Sequence, residues 1–103
     1  MANASAKLIQ SLIGSNKVAV FSKSYCPYCK LAKNVLNQAG ASGKAVIELD
    51  ERDDGHLIQN ELTVLTGEST VPQVFINKEF VGGGTEVEKL HETGKLQKLL
   101  SNL

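Results

Sequence analysis

The chain has 103 residues, 42% of them apolar, enough for one domain with its own core over 1–103. Eleven Lys and Arg side chains cancel eleven Asp and Glu, which argues against nucleic acid or an anionic membrane as partner. No unbroken apolar run approaches the roughly 20 residues that cross a bilayer, and the first 17 residues lack the pattern of a secretory signal, so a soluble protein of a thiol-reducing compartment, the cytoplasm, is expected.

In chain order, Leu8, Ile9, Leu12 and Ile13 share one helical face and predict a packed first helix. Val18-Ala19-Val20-Phe21 follows, a continuous apolar run of the length of a central strand covered on both faces. Ala32, Val35, Leu36 and Ala39 then recur at helical spacing, with Gly40 as a stop. Val46, Ile47 and Leu49 make a second strand, and strand-helix-strand order predicts a parallel pair with a right-handed crossover.

The acidic stretch 50–54 predicts a solvated loop in which Asp53 or Asp54 caps the next helix, carried by Leu57, Ile58, Leu62 and Leu65 to Gly67. After Thr70-Val71-Pro72, the runs Gln73-Val74-Phe75-Ile76 and Glu79-Phe80-Val81 flank Asn77-Lys78 and predict an antiparallel hairpin. Thr85 to Glu88 fits a Ser/Thr-x-x-Glu capping box. Val87 and Leu90, then Leu96, Leu99, Leu100 and Leu103, supply a last amphipathic segment.

Cys26-Pro27-Tyr28-Cys29 contains the only two cysteines. Residues three apart on a helix lie about 5–6 Å apart at Cβ, so a small adjustment closes or reopens a disulfide. With Cys26 as N-cap and Pro27 at the first helical position, the N–H groups of Tyr28 and Cys29 point at the Cys26 sulfur. Such a helix end stabilises a negative charge by up to about 2 kcal/mol, and Lys23 adds to it, which makes Cys26 the expected nucleophile. Cys29, inside the helix without a comparable ring of donors, is expected to stay protonated and to resolve a mixed disulfide.

The competing readings are weaker. A static bridge over so short a loop contributes only about 2 kcal/mol, and zinc needs two further ligands that His56 and His91 do not supply at any recognised spacing. No metal is expected, and both histidines read as surface residues.

Lys23-Ser24-Tyr25-Cys26-Pro27-Tyr28-Cys29, the later Thr70-Val71-Pro72, and Gly82-Gly83 followed by Thr85-Glu86 together resemble a dithiol glutaredoxin, in order and separation, over about Leu8 to Leu100. The resemblance implies an α/β thioredoxin-like fold: a four-stranded mixed sheet, two parallel strands plus an antiparallel hairpin, flanked by helices on both faces. It implies glutathione as co-substrate, with no tightly bound cofactor, in a groove beside Cys26. Thr70, Val71 and a cis Pro72 would form one wall, the Val71 backbone pairing with the tripeptide as an added strand.

By the same resemblance Lys23 and Gln59 would receive the glycine carboxylate, and Tyr28 would line the groove. Gly82 and Gly83 would allow close backbone approach, and the helix start at Thr85-Glu86 would offer N–H groups to the γ-glutamyl carboxylate. The sequence departs from the family at Glu86, where Asp is common; a contact from Glu86 to the γ-glutamyl ammonium is expected, with Gly84 giving slack for the longer arm. The implied protein is a monomeric glutathione-dependent thiol-disulfide oxidoreductase acting on glutathionylated proteins and on protein or small-molecule disulfides. One alternative is a thioredoxin-type reductant, whose Trp-Cys-Gly-Pro-Cys site is absent here. The other is an iron–sulfur scaffold in which Cys26 of two protomers and two glutathiones hold a cluster.

Overall fold

The computed structural model describes residues 3–41 and 43–101. Helix α1 (Ala4–Ser15) is capped by the Asn3 carboxamide, which accepts from the Ala6 N–H at 2.7 Å. It leads into strand β1 (Val18–Ser22), helix α2 (Pro27–Gln38) and strand β2 (Ala45–Glu48). A 3-10 turn at Leu49–Glu51 and helix α3 (Gly55–Thr66) follow, then strands β3 (Gln73–Ile76) and β4 (Glu79–Gly82), and helices α4 (Gly84–Glu92) and α5 (Lys95–Ser101). Leu103, expected to extend the last apolar stripe, lies outside the described residues.

The sheet has the order β2-β1-β3-β4, with β1 and β2 parallel and the other two pairs antiparallel. Every residue of β1 is buried, because its two faces meet two different layers. Ala19 and Phe21 pack with Ile9 and Ile13 of α1 and Ile58 and Leu62 of α3. Val18 and Val20 pack with Ala32 and Leu36 of α2, Val87 of α4 and Leu96 of α5. The two-sided apolar run and the mixed sheet with helices on both faces follow the sequence expectation.

Asn77 and Lys78 turn the hairpin with φ of 52° and 72°, and the Val71-Pro72 peptide is cis. Gly40, with φ of 85°, ends the α2 segment where expected.

Four local expectations are corrected. Asp54 stands at the N-cap position of α3 without a capping bond, because its carboxylate is taken by Arg52 at 2.8 Å. Leu57 and Leu65 are exposed, since α3 turns only its Ile58 and Leu62 side inward. The cap of α4 forms two residues earlier than Thr85 to Glu88: Gly83 is the N-cap, and the Glu86 carboxylate accepts its N–H at 2.7 Å. His91 is half-buried on α4, with Nδ1 enclosed and without a hydrogen-bond partner among the described residues.

Candidate active site

β1 delivers the chain to a short turn in which the Cys26 N–H donates to the Lys23 carbonyl at 3.1 Å. Cys26 is the N-cap of α2 with Pro27 in its first turn, and the Cys29 N–H donates to Cys26 Sγ at 3.3 Å. The proline supplies helical φ without presenting a surplus donor. Of the two expected donors, the Cys29 N–H makes the bond. Cys26 is half-buried; its Sγ faces the Val71 carbonyl at 3.9 Å.

Cys29 is fully buried on the inner face of α2. Burial, then the hydrogen bond with Cys26, pushes its thiol up to about 11. The expected contrast in donors between the two sulfurs is corrected: the Lys23 N–H reaches the Cys29 sulfur at 3.4 Å, so each sulfur receives one backbone donor. That bond opposes the rise without cancelling it.

Beside the cysteines lies a groove of about 840 Å³. One wall is Thr70, Val71, Pro72 and Gln73; the other is Gly82, Gly83, Gly84, Thr85 and Glu86, with Tyr28 at the end nearest the sulfur-bearing helix. Tyr28 is exposed and Pro72 is buried, so the wall is firm where the chain turns into β3. Lys23, Cys26, Cys29 and Gln59 are not among the lining residues. The Gln59 carboxamide instead donates to the Ser69 carbonyl at 2.9 Å.

Glu86 is drawn into its own helix end. One carboxylate oxygen accepts the Gly83 N–H and the other accepts the Thr85 hydroxyl at 2.8 Å, and the first of these chiefly holds the carboxyl below its ordinary value. Gly84 does not act as slack: a side chain there would put Cβ 2.7 Å from the Tyr28 carbonyl, so α4 and the start of α2 touch backbone to backbone.

Two residues that sequence reasoning passed over join the site. Asp50, from the acidic stretch, accepts from both the N–H and the hydroxyl of Ser24, two residues before Cys26. Gln73 is 1% exposed and bonds into the loop that precedes Pro72. A polar residue opening an otherwise apolar strand was the available signal for Gln73. For Asp50 the sequence offers none, since the contact spans 26 residues. Among the described residues no three His, Cys, Asp or Glu side chains gather as metal ligands.

Comparison with known proteins converges on one family. A family model described as Glutaredoxin matches residues 18–81. A glutaredoxin of Vernicia fordii is 50% identical over 92 residues, 89% of this chain and 88% of that one. Glutaredoxin-C4 of Arabidopsis thaliana is 47% identical over 95 residues, 92% of this chain and 70% of its own length. The crystal structure of the buckwheat glutaredoxin-glutathione complex matches with a TM-score of 0.90 at 42% identity, over 94% of this chain and 87% of that chain.

Proposed function

This chain belongs to the glutaredoxin family and is a glutathione-dependent thiol oxidoreductase, and from that premise we propose that Cys26 is its nucleophile and Cys29 its resolving thiol. The observation that carries the assignment is the 3.3 Å bond from the Cys29 N–H to Cys26 Sγ at the start of α2. That bond aims a backbone donor at the sulfur from the end of the helix, and the same sulfur borders the groove wall at Val71.

In the first step the Cys26 thiolate attacks the glutathione sulfur of a glutathionylated protein. A Cys26–glutathione disulfide forms, the substrate S–S bond breaks, and the protein leaves as a thiolate that takes up a proton. A second glutathione thiolate then attacks the sulfur of the bound glutathione, releasing glutathione disulfide and restoring Cys26. With a protein disulfide as substrate, Cys29 displaces the protein from Cys26, its proton passing to the departing thiolate. Two glutathiones reduce the resulting Cys26–Cys29 disulfide.

Glutathione is assigned to the 840 Å³ groove, its main chain against Thr70 and Val71 and its γ-glutamyl end toward Gly83 and Thr85. The support is that Val71, whose carbonyl lies 3.9 Å from the Cys26 sulfur, and the first residues of α4 line the same groove. Lys23 meets the glycine carboxylate by charge; Gln59 does so only by releasing Ser69. The cycle needs a reduced glutathione pool, and a thiol-reducing compartment such as the cytoplasm is the location proposed for it. The iron–sulfur scaffold draws no specific support from these observations.

The glutathione-coupled assay on serine variants tests the assignment. Cys29→Ser retains deglutathionylation and loses most reduction of protein disulfides, whereas Cys26→Ser loses both. Equal inactivation by the two changes would contradict the separate roles.

A further inference from the structure

Gln73 is 1% exposed, in a strand whose other members are Val74, Phe75 and Ile76. Burying a carboxamide is unfavourable unless each polar atom finds a partner. Here each does: Nε2 donates to the Glu68 carbonyl at 2.8 Å and to the Thr70 carbonyl at 3.1 Å, while Oε1 lies 3.0 Å from the Thr66 hydroxyl, whose one proton it shares with the Leu62 carbonyl at 2.8 Å. Between those two carbonyls, that of Ser69 is taken by Gln59. Three consecutive carbonyls are thus held by two glutamine side chains, one rooted in the sheet and the other on α3.

An apolar residue would pack this position as well, so the amide's distinctive effect is on the loop. That loop is the groove wall: it runs directly into Thr70, Val71 and Pro72. The backbone of Gln73 is meanwhile in register with Phe21 of β1, one residue before the end of the strand that leads to Cys26. One residue therefore joins the loop to the sheet position from which the nucleophile is hung.

We propose that Gln73 is a positioning residue for glutathione recognition, whose buried carboxamide fixes the Thr70–Val71 backbone at the separation from Cys26 that the tripeptide main chain requires. The inference rests on the function proposed above and adds to it a residue that does not touch the ligand's reacting sulfur.

Two variants of the full chain test it. Gln73→Met keeps the volume and removes all three hydrogen bonds; Thr66→Val leaves Gln73 in place and removes the hydroxyl facing Oε1, together with that hydroxyl's bonds to the Leu62 carbonyl and the Glu68 N–H. A glutathionylated peptide is varied against saturating glutathione, below each variant's melting temperature. Losing buried partners should raise KM for the glutathionylated peptide about tenfold in Gln73→Met and about threefold in Thr66→Val, with kcat within about twofold of wild type. Alkylation of Cys26 by iodoacetamide should keep its wild-type rate in both. An unchanged KM in folded Gln73→Met overturns the inference even where Tm has dropped, because a merely structural glutamine moves Tm alone. If Gln73→Met does not fold, an unchanged KM in Thr66→Val overturns it equally. A wild-type protein that fails to turn over with glutathione would instead remove the functional reading, and the inference with it.

Discussion

The backbone N–H of Ser24 donates to Asp50 Oδ1 at 2.9 Å, and the Ser24 hydroxyl donates to the second oxygen of the same carboxylate. Both residues lie just beyond the ends of parallel neighbours, Ser24 after β1 and Asp50 after β2. The carboxylate therefore braces the turn that presents Cys26 from the adjoining strand, with no contact to the sulfur needed.

The Ser24 hydroxyl, and after it the Ser24 N–H, keep the Asp50 carboxyl below its ordinary value of 3.8. A depressed folded value means that the brace contributes stability above pH 3.8, and that this contribution is lost as pH falls through the folded value. In Ser24→Ala the hydroxyl bond disappears and the N–H bond stays, so the Asp50 titration midpoint should rise part of the way back. NMR of the carboxyl carbon in wild type and variant measures it, and an unmoved midpoint would show that the hydroxyl bond carries no weight in solution.

Cys29 should resist alkylation far longer than Cys26 in the reduced protein. It is fully buried and its thiol is pushed up to about 11, whereas Cys26 is half-buried at a helix end. Mass spectrometry after iodoacetamide at pH 8 should find one label, on Cys26, with Cys29 reacting only as pH nears its folded value. The raised value also sets a stability trend. The thiol's contribution is complete below 9.0 and is lost as pH climbs toward about 11, so the urea midpoint should decline across that window.

Two substitutions at Glu86 separate its cap from its charge. Gln retains an oxygen for the Gly83 N–H, as a capping box allows, while Ala leaves that donor bare. Glu86→Ala should cost about 0.5–1 kcal/mol, a Tm fall of about 2–8 °C, and Glu86→Gln much less. If the charge also attracts the γ-glutamyl ammonium, Glu86→Gln alone will raise KM for a glutathionylated peptide at almost unchanged Tm. Equal KM in wild type and Gln would confine Glu86 to the helix end.

Gly84→Ala should separate α4 from the start of α2. Its Cβ would stand 2.7 Å from the Tyr28 carbonyl, a backbone atom that cannot rotate away. A cost of about 1–3 kcal/mol is expected from the forced shift, read as a lower urea midpoint. A midpoint equal to wild type would mean that the two helix ends are free to part.

What the sequence made legible is what short-range chemistry controls. The β1 run, the proline inside the first turn of α2 and the Asn77-Lys78 turn each carry their conformation in neighbouring residues, and each appears where expected. The pairing of Asp50 with Ser24 brings together residues whose local surroundings are those of ordinary loops, so no periodicity announces it. The α4 cap was misplaced for a different reason. Thr85 to Glu88 and Gly83 to Glu86 are both admissible frames, and close packing of Gly84 on Tyr28 accompanies the earlier one. Leu57 and Leu65 belong to the helix they predict yet lie exposed, because α3 is covered only on the side that carries Ile58 and Leu62.

Phe21 and Gln73 sit across from each other on one antiparallel rung, and from it the two chains depart, one forward to the sulfur and one backward to the facing wall. The mouth of the cleft is accordingly gauged by the sheet's own lattice spacing.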